Sequence, residues 1–138
     1  MVLYDLFSFR DADKILESKG LLQEVKNVMV NVLFVKHVAI QTWFQKFDWG
    51  SEHYIFKETK WRWDAFKDKV AVSIELSLID AVHRDFLRAI LAHKQGKIDA
   101  LVYVTSMSKE PKFQNVKRDI EIFSEILDVP ILLIGLEP

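Results

Sequence analysis

The chain has 138 residues, half of them hydrophobic, with four Trp and ten Phe and little Gly or Pro, which excludes a disordered or low-complexity protein. Lys and Arg number 19 against 20 Asp and Glu, so there is no overall basic field and any nucleic-acid binding has to rest on a local patch. Cysteine is absent, which excludes disulfides and thiolate metal sites, and no run approaches the roughly 20 apolar residues needed to span a bilayer.

In chain order, Met1-Val2-Leu3-Tyr4-Asp5 lacks the basic and apolar pattern of a targeting segment, so a soluble, cytoplasmic protein of one domain (residues 1–138) is expected. Asp11 or Asp13 caps a predicted first helix, whose apolar positions Ile15, Leu22, Val25, Met29 and Val32 recur at helical spacing and which Gly20 weakens in the middle. From Leu33 to Phe56 β-branched and aromatic residues predict one or two strands and a turn at Gly50-Ser51. Residues 61–77 then read as an antiparallel hairpin around Lys67-Asp68-Lys69.

Ser77-Leu78-Ile79-Asp80 matches a capping box, and Val82, Phe86, Ala89, Ile90 and His93 predict a second helix that Gly96 stops. The apolar runs Ile98–Thr105 and Ile131–Gly135 predict strands covered on both faces. Between them come a polar loop, Ser106 to Lys112, and a third helix carrying Phe113, Val116, Ile120, Phe123 and Leu127. The implied class is α/β: a mixed central sheet, an antiparallel hairpin plus parallel β-α-β units with right-handed crossovers, flanked by helices.

The hairpin holds the candidate chemistry. Val70, Val72, Ile74 and Leu76 take one face of its second strand, and Ala71, Ser73, Glu75 and Ser77 the other. With a turn centred on Lys67-Asp68, Asp64 lies opposite Ala71 and shares a face with Ser73 and Glu75, so two acids meet on one side, as a divalent metal site requires. The bland readings stand beside this one. An exposed Asp64 serves solubility, and Ser77 serves as the N-cap of the second helix. A charge on a central strand is harder to explain without a partner, which favours a role for Glu75. Arg84 and Arg88, with Lys94 beyond, form either a phosphate-contacting ridge or a solvated helix face. Trp43, Phe44, Phe47, Trp49, Tyr54, Trp61 and Trp63 read first as core, and Glu17 and Glu24 as salt-bridged surface. His37, His53, His83 and His93 form no i,i+4 pair, which argues against zinc.

The order α-β-β-β-α-β, with Asp64 on one strand and spaced polar residues on the next, resembles the PD-(D/E)xK nuclease fold. Residues 70–77, His83-Arg84-Asp85-Phe86, Gly96-Lys97-Ile98-Asp99 and 129–135 are similar to the BglII/BamHI-type restriction endonucleases, over about residues 60 to 138. The resemblance implies a metal-dependent DNA endonuclease using Mg²⁺, with Mn²⁺ as substitute, that hydrolyses phosphodiester bonds. Asp64 and Glu75 are the implied metal ligands. Two registers fit: Glu75 is a ligand and Ser77 the third polar residue, or Ser73 stands where the second acid is expected and Glu75 takes the third place. DNA is the implied partner, and a homodimer is expected because cutting both strands asks for two sites related by a two-fold axis. The alternative is a decayed nuclease scaffold that binds DNA or a protein without turnover.

Overall fold

Three strands are covered on both faces along their length, as their apolar runs require: β4 (Val70–Ile74), β5 (Ala100–Ser106) and β6 (Ile131–Glu137), the last emerging only at Glu137. They form the parallel centre of one six-stranded sheet in the computed structural model, which describes residues 2–138. Met1, the first residue of the stretch read for a targeting segment, lies outside the described residues. The other strands are β1 (Leu3–Phe9), β2 (Gly50–Tyr54) and β3 (Arg62–Lys67), all antiparallel to their neighbours, in the order β1-β6-β5-β4-β3-β2.

Helices α1 (Ala12–Ser18), α2 (Leu22–Asn31), α3 (His37–Lys46), α4 (Ala81–Lys94) and α5 (Phe113–Ile122) complete the chain. Alternation along the strands sends Val72, Ile74, Val102 and Ile134 into a core with Leu16, Val25, Met29, Ile40 and Phe44 of α1 to α3. Ala71, Leu101, Tyr103 and Leu133 enter a second core with Val82 and Phe86 of α4 and Val116 and Ile120 of α5. The mixed sheet flanked by helices is the predicted class. Among the described residues no helix is long and apolar enough to cross a membrane.

Several local expectations are corrected. The single first helix is two: Gly20 takes φ +72°, and Leu21 N–H donates to Leu16 O while Gly20 N–H donates to Glu17 O, a Schellman ending that breaks the chain direction. Neither Asp11 nor Asp13 caps α1 through its side chain; Ser8 Oγ instead accepts from Asp13 N–H (3.0 Å) and donates to its carboxylate (2.8 Å). Residues 37–46 are helix rather than strand, because Ile40 and Phe44, four apart, bury one helical face. Gly50-Ser51 opens β2 instead of making a turn, and β1 was not anticipated at all. The second helix ends at Gly96 as expected, but it starts at Ala81, leaving Ser77 outside it.

Of the seven aromatics read as core, Phe44, Trp49 and Trp63 are buried, Trp43 and Phe47 are partly so, and Tyr54 and Trp61 are exposed. Glu24 is held as the surface reading expected, accepting from Lys67 Nζ (2.9 Å) and from the Trp49 indole (3.1 Å).

Candidate functional site

The hairpin exists, with a tighter turn than expected. Asp68 (φ +46°) and Lys69 (φ +62°) alone connect β3 to β4, both in the positive-φ region that a two-residue type I′ turn demands. The ladder pairs Lys67 with Val70, Phe66 with Ala71 and Ala65 with Val72. Continued by one residue, it places Asp64 opposite Ser73 and not opposite Ala71; turn chemistry, rather than hydrophobic alternation, sets this slip of two residues.

Asp64 replaces the ladder where the strands part. The Ile74 N–H donates to Asp64 Oδ2 (2.7 Å), and His37 Nε2, from the first turn of α3, sits 2.9 Å from Oδ1. Gln41, one turn further along α3, donates from Nε2 to the Asp64 carbonyl (2.9 Å). The Asp64 side chain keeps 22% of its surface exposed, enough to meet a ligand. Ser73 is buried on β4. Glu75 follows directly, half-buried, with its N–H donating to Val104 O of β5 (2.9 Å), so the acid is anchored to the parallel sheet. Its Oε2 accepts from Ser77 N–H (3.3 Å), Ser77 Oγ (3.4 Å) and Leu78 N–H (3.3 Å), which ties the loop before α4 to the carboxylate. Ser77 thus serves Glu75 and not the helix terminus. The whole group lies at the carboxyl end of the parallel strands, where open α/β sheets form their ligand crevice.

The hydrogen bond to Asp64 raises the His37 pKa above the usual histidine value; burial opposes this, and the charges of Asp64, Glu52 and Glu75 add to it. A histidine held protonated in the fold contributes stability that is fully present below its unfolded value, about pH 6.5, and is lost as pH rises through the raised folded value. Denaturation of the natural chain and of His37→Gln is therefore expected to show the variant weaker near about pH 5.5 and the gap narrowing by about pH 9. A gap that does not change with pH would remove the charge from this contact.

Two further groups escaped the sequence reading. Asp85 on α4 accepts from the buried Tyr103 hydroxyl (2.9 Å) and has a side chain only 14% exposed. Burial raises its pKa above the usual carboxylate value against the lowering effect of the Tyr103 bond, and Glu75 contributes to the rise. The signal was present: Asp85 stands in the stripe Ala81, Val82, Phe86, Ala89, Ala92 that α4 buries. His37 gave no signal, because its segment read as strand.

Each of the three basic side chains of the expected ridge on α4 has a neighbour of its own. Arg84 Nη2 lies 3.6 Å from Asp85, the Arg88 guanidinium packs 3.8 Å from the centre of the Trp61 ring, and Lys94 Nζ donates to Asp128 (2.9 Å). Glu17 is not among the groups at the hairpin. Among the described residues no three His, Asp or Glu side chains are arranged to hold a metal ion.

A family model described as restriction endonuclease BglII/BglIII matches residues 4–136. No curated protein matches the sequence. Among solved structures, the crystal structure of restriction endonuclease BglII complexed with a DNA 16-mer superposes with a TM-score of 0.86 at 16% identity, covering 99% of this chain and 78% of that one.

Proposed function

Because the chain belongs to the restriction endonuclease BglII/BglIII family, we propose that it is a metal-dependent DNA endonuclease with its centre at Asp64 and Glu75. One observation carries the reading: Asp64 grips the backbone N–H of Ile74, so the acid of β3 is fixed beside the residue that precedes Glu75. The donor set suits Mg²⁺, which takes carboxylate oxygens one or two at a time and completes its shell with water and phosphate. A bound Mg²⁺ would polarise the phosphate and help ionise a water. The chain's own part is to present Asp64 in one orientation through Ile74 and Glu75 in another through Ser77 and Leu78. His37 supplies a cation beside Asp64 when protonated. The ladder ends at Ala65 and Val72, and Asp64 lies against Ile74, between Ser73 and Glu75, so the hairpin admits both registers.

The test is nicking of supercoiled plasmid over a Mn²⁺ and Mg²⁺ series. Metal-dependent nicks that EDTA abolishes are the expected product, and Glu75→Gln should remove them with the fold intact. A natural chain that cuts equally well in EDTA sinks the reading.

A decayed scaffold is the second reading, and Ser73 favours it: a hydroxyl next to Ile74, whose N–H Asp64 holds, contributes no charge to a cation. In that case neither metal binds at millimolar concentration and duplex DNA binding survives alone.

Two cuts on a duplex call for a two-fold pair of chains, and α4 and α5 offer the surface. Leu87 (66% exposed), Ile122 (63%) and Ile126 (62%) project beside an apolar groove of about 280 Å³ floored by Phe86 and Leu127. Across a two-fold axis the ridge of one copy fills the groove of the other. Leu87→Glu with Ile126→Glu should turn a dimer into a monomer in sedimentation; a natural chain that sediments as a monomer at about 100 μM removes this interface, since a weak signalling contact would have begun to associate at that concentration.

A further inference from the structure

A basic hollow opens beside the β2-β3 pair, on the α4 side of the sheet. Residues 55–61 link β2 to β3, closed by Ile55 N–H donating to Trp61 O (2.9 Å), with Ile55 and Phe56 driven into the core shared with α4. Between this loop and the β2-β3 pair opens a cavity of about 620 Å³. Lys57, Lys60 and Lys97 line it, with no Asp or Glu among the lining residues. Lys97 Nζ lies 4.8 Å from the centre of the Phe56 ring and donates to Ile55 O (3.4 Å), which aims that ammonium at the hollow without neutralising it. Among the described residues these three lysines join no ion pair, whereas Lys19, Lys67, Lys69 and Lys94 each face a carboxylate. The wall opposite is aromatic: the His53 ring lies flat on Phe66, centroids 4.1 Å apart and planes 5° from parallel, and Tyr54 is exposed beside them.

In a chain of net charge −1, three unpaired ammoniums around one aromatic-walled hollow are a local anion site. The occupant follows from charge complementarity: the hollow opens on the α4 side of β3, the face opposite the α3 contacts of Asp64, and DNA is the polyanion that the proposed function brings to this strand. We infer that the hollow takes the sugar-phosphate backbone of the DNA strand beyond the scissile bond, with the lysines on successive phosphates and a base free to stack on the His53–Phe66 face. This rests on the endonuclease reading. Lysine is a point charge without the planar fork that reads a base edge, so the contact adds affinity and register rather than sequence choice.

The test is anisotropy of a labelled duplex of about 30 base pairs in EDTA, across about 50 to 200 mM KCl, for the natural chain, for Lys57→Ala with Lys60→Ala, and for the triple variant adding Lys97→Ala. Each phosphate contact removed should flatten the log–log salt slope by about 0.9, so the double variant loses about 2 and the triple about 3. The substitutions are at exposed positions, and circular dichroism should be unchanged. If the natural chain binds DNA and the triple variant keeps its slope, this inference falls while the endonuclease reading stands. If the slope is kept but binding of deoxyadenosine monophosphate is lost, the hollow belongs to a free nucleotide and the inference is again overturned. If the natural chain binds no duplex at any salt, both fall together.

Discussion

Asp64→Asn is expected to lower metal-dependent cleavage by about two to three orders of magnitude, the scale attached to one preorganised charge-stabilising group. The amide oxygen can still accept from Ile74 N–H, so the hairpin end survives and the loss reports the charge rather than the fold. His37 loses its ionic partner in the same variant, which separates it from a simple deletion of the side chain. The companion substitution runs the other way: Ser73→Glu adds a carboxylate next to Ile74, whose N–H Asp64 holds, and should tighten Mn²⁺ binding in calorimetry, with faster plasmid nicking if turnover is limited by metal. An Asp64→Asn chain that cuts like the natural one, or a Ser73→Glu chain with no gain in Mn²⁺ affinity, would displace the centre from this hairpin. Ser73 is buried, so its glutamate also bears a desolvation cost that only a bound cation offsets, and metal should raise the stability of this variant most.

The largest effect on stability is expected at Gly135 of β6. A Cβ there would meet the Met107 sulfur and would stand 2.8 Å from Phe113 Cβ and Cδ2, closer than packed carbons approach. The Met107 thioether can swing aside, but Phe113 opens α5 and is itself buried, so the helix or the strand must shift. Overpacking of this kind costs about 1 to 3 kcal/mol, which in a chain of this size lowers the melting temperature by roughly 3 to 10 °C. Gly135→Ala measured by thermal denaturation tests this, and Met107→Ala in the same chain should recover only part of the loss. An unchanged melting temperature would mean that the α5 terminus gives way without cost.

What the sequence made legible was whatever repeats at a short period. The buried strands β5 and β6, the helices that follow Asp80 and Lys112, and the hairpin itself follow from apolar runs and alternation. The slip in the hairpin came from the turn: Asp68 and Lys69 both hold positive φ, and nothing in a lysine announces that. Helix α3 was hidden because Val38, Ile40, Thr42, Trp43 and Phe44 have strand-like side chains, while only the spacing of Ile40 and Phe44 betrays the helix. The places of Asp64 at the end of the β3 ladder and of Glu75 directly after β4 were legible, because each carboxylate interrupts a strand-like run. The contacts of His37 and Gln41 with Asp64 and of Tyr103 with Asp85 were not, since each joins elements distant in sequence and only packing brings them together.

Among the described residues β1 has one neighbour, β6, and the pairing runs from Leu3 with Glu137 to Phe9 with Ile131. On a ribosome β1 emerges well before its partner, so it waits while the residues between Phe9 and Ile131 are made, with its backbone donors and acceptors unmatched. Closing that span is the largest loop entropy in the molecule, and contacts of such separation slow folding. The helices after β1 can gather early around Leu16, Val25 and Met29, yet the sheet they cover is complete only when residues 131–137 emerge. A polypeptide halted before Ile131 would leave β1 unpaired and open the edge of β5 that β6 covers, and each is a template for the wrong partner.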